Sequence, residues 1–368
     1  MITWRQKARE RLEGLPKMNW PQPALPKSIV YEAPGSTIVF VDGFYSPELS
    51  KLPAEIICLP LDAALKSYGL FLQNRWTKIF KEETDPLYLS NAADHGRGLF
   101  LYAPPNVQSE LQIIHVATGS ELASPKIQIT LGKNASLSVV QTVKGGFSNG
   151  VADVFLDAGA TLKFYDMELL PADAHSNMTL RAGLKRDAKL EVFHATDGAK
   201  NVRFSASAEL LEENSSFLLR TLGMLSGERQ ATVCALADHA APHCTSRQHV
   251  KMVLNGRSKS SFDGKIYVRS PAQKTEAYQL NNNLLLSDSA VAGSKPGLEI
   301  FADDVKASHG ATFSQLSKEE LFYLRSRGLP LSVAKSLLMQ AFCREIIDAL
   351  EVEILKAPLL EAMAKVYA

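Results

Sequence analysis

Leu131-Gly-Lys-Asn-Ala-Ser-Leu137-Ser-Val139 returns three times downstream, with changed residues but the same pattern. The copies are Leu156-Asp-Ala-Gly-Ala-Thr-Leu162-Lys-Phe164, Leu184-Lys-Arg-Asp-Ala-Lys-Leu190-Glu-Val192 and Leu211-Glu-Glu-Asn-Ser-Ser-Phe217-Leu-Leu219. Each unit is an apolar residue, a polar turn of five, then an alternating strand. The leading leucines stand 25, 28 and 27 residues apart. A helical solenoid needs ~33–45 residues of paired helix per unit, and no helical period runs through this stretch. Coils of this length with short strands predict a parallel β-solenoid, where like side chains stack because no coil buries its own apolar face. A two-sheet sandwich also spaces strands at ~8–12 residues. The small residue at one place in every unit (Ala135, Ala160, Ala188, Ser215) favours the solenoid.

Outward from the repeat, period-two alternation extends from about Gly98 to Leu316. Before it, residues 1–95 are predicted to be a helical cap with loops. Pro16, Pro21, Pro23, Pro26 and Pro34 break up its first part, and helical patterns follow near 47–52 and over 61–82. In the second, from Ala63-Ala64-Leu65 through Phe71, Trp76, Ile79 and Phe80, apolar residues recur at three- and four-residue steps. After the alternation, Ser317-Lys-Glu-Glu320 is a capping box that opens a helix, stopped by Gly328 and Pro330. Ser332 opens a second helix with Val333, Leu337, Leu338, Ala341, Phe342, Ile346, Ile347 and Leu350 on one stripe. The predicted architecture is mainly β: an N-terminal helical or irregular region (1–95), a parallel β-helix core (96–316) and a C-terminal helical domain (317–368). A solenoid exposes its last edge, so the terminal helices are expected to shield that edge or dock a partner.

Forty Lys+Arg against 39 Asp+Glu leave a net charge of +1, which disfavours sequence-independent nucleic-acid binding. The chain is 46% hydrophobic and 21% charged, ordinary for a globular protein. No apolar run approaches the ~18–20 residues that span a bilayer. The first ten residues lack the apolar region of a secretory signal. A soluble, cytoplasmic protein with reduced thiols is expected. Four scattered cysteines fit neither a disulfide framework nor a CxxC zinc site. Cys58 and Cys343 read as buried small hydrophobes and Cys234 as core. His95 and His115 show no partner in the sequence.

No GxxxxGK[ST], GxGxxG or HExxH motif is present. Two clusters remain. Asp238-His239-Ala-Ala-Pro-His243-Cys244-Thr-Ser-Arg-Gln-His249 holds imidazoles and a thiol suited to iron or zinc. Residues an odd step apart face opposite ways on a strand, so His243 and Cys244 should not converge. The second, Lys295-Pro-Gly-Leu-Glu-Ile-Phe-Ala-Asp303-Asp304-Val-Lys306-Ala307-Ser308-His309-Gly310-Ala-Thr312, ends the β region. Its plain reading is an acidic turn whose aspartates cap backbone N–H groups.

Together with Phe322-Tyr-Leu-Arg-Ser-Arg-Gly328, this second cluster resembles the signature of the SufB/SufD family of iron–sulfur cluster assembly proteins, its SufD branch in particular. Cys244-Thr-Ser-Arg-Gln248, Asn255-Gly-Arg-Ser-Lys-Ser-Ser-Phe-Asp-Gly264 and Asn281-Asn-Asn-Leu-Leu-Leu286 match the same branch in order and spacing. The resemblance is strong from about 230 to 350 and loose before about 95. The Glu-His-Glu tract of the SufB branch is replaced here by Ser308-His309-Gly310. The resemblance implies a right-handed parallel β-helix that carries no ATPase of its own and pairs with a SufB-like paralogue through the end of the coil. Self-pairing is left open when that paralogue is absent.

It also implies that a SufC-like ABC-type ATPase docks on the C-terminal helices, with Leu321, Phe322, Tyr323, Leu324, Arg325, Arg327 and Gly328 at the contact. His309 would face the partner and bind iron or a transient iron–sulfur cluster shared between the two. The SufD branch commonly has a cysteine two residues earlier, where this chain has Ala307, which cannot bind metal. Asp303 and Asp304 are the nearest candidates in sequence to orient His309. Two other readings stand beside this one: a purely structural arm of the complex, and a β-helix enzyme acting on polysaccharides with Asp303, Asp304 and His309 as acid and base.

Overall fold

A computed structural model describes residues 4–13, 36–70, 72–73, 76, 83–94, 98–118 and 122–366. The five N-terminal prolines, Phe71, Ile79, Phe80 and His95 lie outside the described residues. The chain is mainly β, a parallel solenoid of about seven turns with helices at both termini. From Leu99–Ala103 onward, successive strands alternate between a ten-stranded and a nine-stranded sheet, so each pairs with the one two places along the chain.

The repeat that predicts the coil becomes a column. Leu137 pairs with Leu162, Leu162 with Leu190, and Leu190 with Phe217, all buried. Val139, Phe164, Val192 and Leu219 form the next inward column. The small residues Ala135, Ala160, Ala188 and Ser215 are also buried, and Cys244 and Thr275 continue their line. Just before each stands a residue with positive φ: Asn134, Gly159, Asp187, Asn214, His243 and Lys274. Asn, Asp and Gly tolerate that backbone best. Each of these N–H groups reaches the next coil, as in Asn134 N to Ala158 O (2.9 Å) and Asp187 N to Glu213 O (3.1 Å). The polar turn is therefore a corner that hydrogen-bonds coil to coil. Replacing Asn214 by alanine is expected to cost ~1–2 kcal/mol, and by glycine little. Urea unfolding midpoints of the two variants test this.

Strand pairing begins earlier than the alternation suggests, which corrects the expectation of helices and loops alone before residue 96. Thr37–Val41 runs parallel to Gln108–Ala117, and Ile57–Pro60 lies antiparallel to Leu99–Ala103. Runs of four or five mostly apolar residues are too short for a period to be read. Near residue 47 only a single 3₁₀ turn forms, Pro47–Leu49.

Three N-terminal helices are described: α1 (Trp4–Glu13), α2 (Leu61–Ser67) and α3 (Pro86–Asp94). Helix α3 is fastened to the nine-stranded sheet by Asn91, whose Nδ2 donates to the carbonyls of Pro125 (2.9 Å) and Asn149 (2.7 Å). At the other terminus lie α4 (Lys318–Ser326), α5 (Leu331–Ile347) and α6 (Lys356–Lys365). The Ser317 hydroxyl accepts from Glu320 N (3.2 Å), and Gly328 ends the turn after α4 at φ +88°.

Helices α5 and α6 do not shield the last edge, and that expectation is corrected. They pack Met339, Cys343, Ile346, Leu359 and Met363 against outward Tyr165, Met167, Phe193, Leu222 and Met224 of the ten-stranded sheet. That sheet is apolar on both faces, so its flank offers the helices more area to bury than the edge does. Among the described residues, no helix is long and apolar enough to cross a membrane.

Candidate functional site at the open end of the coil

Two strands finish the solenoid, Val291–Ile300 and Val305–Ser314. Each is hydrogen-bonded on one side only, so two sheet edges lie open at the same end. They are not equivalent. Val291–Ile300 has Pro296 near its centre, which removes a backbone donor. Val305–Ser314 has none, and presents an uninterrupted row of unpaired backbone groups. Val291, Phe301 and Phe313 are exposed around these edges.

His309 sits mid-strand on the second edge, exposed, in register with Gln279. In the preceding coil, Thr275, Ala277, Gln279, Asn281 and Asn283 point inward and are buried. By the same alternation Val305, Ala307, His309, Ala311 and Phe313 share the inner face. Ala307 is thus His309's neighbour on that face. Among the described residues the His309 ring has no hydrogen-bond or ion-pair partner.

Beneath His309 the interior changes chemistry. The column that reads Val139, Phe164, Val192, Leu219 continues as Gln248, Gln279, His309. Gln279 Nε2 donates to Gln248 Oε1 (2.5 Å), and Asn283 Nδ2 to Asn281 Oδ1 (2.8 Å). Gln279 Oε1 and Gln248 Nε2 are buried without partners. Gly264 makes the room, since a Cβ there would lie 2.4 Å from Gln279 Nε2. Sequence reasoning missed this amide-lined interior. Its signal is the alternation of Gln279, Asn281 and Asn283, polar residues on a strand face otherwise reserved for apolar ones.

Asp303 and Asp304 do not orient His309, contrary to expectation. They lie at the corner, and Asp304 is five residues from His309, about 16 Å along a strand. Asp304 instead pairs with Lys274 (2.5 Å), which holds its carboxyl below the usual range.

The His239–His249 cluster divides into four environments. His239 is buried, with Nε2 2.8 Å from Ser246 Oγ, and burial pulls it down to about 4. His243 is an exposed corner residue. Cys244 is buried 3.3 Å from Ser215 Oγ, and burial pushes its thiol up. His249 faces outward, 3.0 Å from Asn282 Oδ1. No ligand set forms there.

Cys343 is buried and its thiol is pushed up to about 12, as is that of half-buried Cys58. Cys234 is not core. It is half-buried on an outward position, because it alternates with buried Val233 and Ala235.

Helix α4 buries none of its residues. Phe322 and Tyr323 are 75% and 58% exposed. Leu321 and Leu324 are half-buried, Arg325 and Gly328 exposed, and the Arg327 guanidinium lies over the Tyr323 ring at 5.3 Å. The adjoining first half of α5 exposes Leu331, Val333 and Leu337.

Residues 114–342, well over half of the chain, match the family model described as SUF system FeS cluster assembly, SufBD core domain. An iron–sulfur cluster assembly SufBD family protein of Synechocystis is 27% identical across 90% of this chain and 78% of its own length. The iron–sulfur cluster assembly protein SufD of Escherichia coli is 37% identical over 44% of this chain and 38% of its own. Protein ABCI7, chloroplastic, of Arabidopsis thaliana is 31% identical over 62% and 49%. The chain therefore spans less than half of the last two relatives.

Proposed function

Since this chain belongs to the SufBD family of SUF-system iron–sulfur cluster assembly proteins, we propose that it is a SufD-type scaffold arm whose His309 supplies one ligand to iron or a nascent cluster shared with a SufB-like partner. The observation that carries this reading is an exposed, unpartnered imidazole on the inner face of an open sheet edge. A paralogous coil can extend that edge strand to strand, with main-chain bonds supplying affinity and the exposed Phe301 and Phe313 supplying apolar area. Pro296 weakens pairing on the other edge, so the His309 edge is the one expected to bear the contact.

With Ala307 in place of a thiol, this arm contributes nitrogen alone, and the sulfur ligands come from the partner or from the cargo. The exposed face of α4 and early α5 suits a SufC-like ABC-type ATPase. Closure of two such subunits would move the paired arms and open the shared site by differential contact. The isolated chain should purify without the colour of an iron–sulfur cluster, because one imidazole is too few ligands to retain a cluster at this edge.

The test is His309→Ala in a complex reconstituted with SufB-like and SufC-like subunits. Cluster content should fall roughly tenfold or more, since even residues behind a ligand are worth that much. Assembly, followed by gel filtration, should not change, because alanine leaves the backbone edge intact. Full cluster content in the variant would leave the purely structural arm as the correct reading.

A further inference from the structure

A second polar group lies deep in the middle coils, walled by apolar columns. Asp166 and Glu168 stand two residues apart on the inner face of Thr161–Glu168, and His194 pairs in register with Asp166 from Lys189–Thr196. All three are at most 1% exposed. One donor atom from each lies within 4.8 Å of the other two. Gln141 Nε2 donates to Asp166 Oδ1 (2.8 Å), His194 Nδ1 is 2.9 Å from Asp166 Oδ2, and Ser176 Oγ donates to Glu168 Oε1 (2.7 Å). Glu168 Oε2 is left with no partner.

The charge arrangement is unusual for this molecule. Asp153, another carboxylate sealed in the fold, has the Lys126 ammonium 2.8 Å away. Among the described residues, no lysine or arginine is paired with Asp166 or Glu168. Two buried carboxyls without a cation are costly to keep. An orphaned carboxylate oxygen, a second carboxylate and an imidazole converge where that cation is missing.

We infer that Asp166, Glu168 and His194 form a binding site for one divalent transition-metal ion of the Zn2+ or Fe2+ type. An imidazole with two carboxylates is a nitrogen–oxygen set that such ions accept, and with no thiolate it is unsuited to a cluster. Ligands ~2.0–2.2 Å from a shared ion lie within about 4.4 Å of one another, so the side chains need shift by only a fraction of an ångström. Gln141 and Ser176 hold the two carboxyls, and the His194 ring is stacked on Phe204 at 4.1 Å, so the donors are oriented in advance. One ion also balances the two carboxylates. It would tie two adjacent coils together. Four strand spacings, about 19 Å, separate the site from the His309 strand, so it is independent of the role proposed for that residue.

Metal content of the full chain decides the matter. The chain is expressed in medium supplemented with Zn2+ or, in a parallel anaerobic preparation, Fe2+, then washed with chelator. One equivalent should remain, and stripping it under stronger chelation should lower the thermal midpoint. Glu168→Gln keeps the shape and the Ser176 hydrogen bond but lacks the carboxylate. Together with Asp166→Asn, it should bind at least ~100-fold more weakly. His309→Ala should retain the equivalent in full. A wild-type chain that holds neither ion, or an equivalent kept in full by both Glu168→Gln and Asp166→Asn, overturns the site.

Discussion

Replacing Lys126 by methionine is expected to lower the free energy of unfolding by about 3–5 kcal/mol. The Lys126 and Asp153 side chains are 0% and 1% exposed, and Nζ lies 2.8 Å from Oδ2. The Tyr88 hydroxyl donates to both Asp153 oxygens at 3.0 and 3.1 Å, and its ring lies 4.8 Å from the ammonium. Burial and the neighbouring carboxylate raise Tyr88 well above its ordinary value, so it stays a donor. Methionine keeps much of the lysine volume but strands a charge that only one hydroxyl then stabilises. The double variant Lys126→Met, Asp153→Leu removes that stranded charge and should recover much of the loss. Urea unfolding followed by circular dichroism measures both. A single-variant loss below about 1 kcal/mol, or no recovery in the double variant, would show that the pair does not stabilise the fold in this way.

Mild acid should also destabilise the fold. Burial pulls both His115 and His239 down to about 4. Once unfolded, each titrates near 6.5. Between those values the unfolded chain binds a proton that the folded chain refuses, so stability falls as pH drops through about 6.5 to 4. Each histidine contributes on the order of 3 kcal/mol to that loss. Below about 4 both states are protonated and the contribution levels off.

Glu168 acts in the opposite sense. In the metal-free chain, burial beside Asp166 raises it well above its ordinary value, so its contribution is full below about 4.5 and fades as pH rises through the folded value. Comparing His239→Gln with wild type isolates the histidine term, since glutamine can still bond Ser246. The slope of the urea midpoint between pH 7.5 and 4.5 should become shallower, because one of the protons refused by the folded chain is no longer there to bind. An unchanged slope would mean that His239 titrates alike in the folded and unfolded chain.

The legible part of this molecule is what each coil repeats. Leu137, Leu162, Leu190 and Phe217 announce a column because every coil must bury the same face against its neighbours. Asn134, Asp187 and Asn214 mark corners because few other residues accept the left-handed backbone there. His309 was singled out only through the resemblance of its motif to the SufB/SufD family, and side-chain alternation places Ala307 on its face. Its orienting partners could not be found this way. Asp304 is near in sequence but is taken by Lys274 at the corner.

Local pattern therefore determined the coil and its corners, because backbone preference and side-chain alternation act over a few residues. Tertiary structure alone decided the rest. His115, Gln141, Asp166 and His194 form one hydrogen-bonded chain only because coils of unequal length bring them into line. Corner insertions shift the numbering from coil to coil, so no fixed sequence interval reveals such neighbours. The helices that seemed suited to cover the end went to the flank, where outward apolar residues offered them more area to bury, and the edge with His309 stayed open.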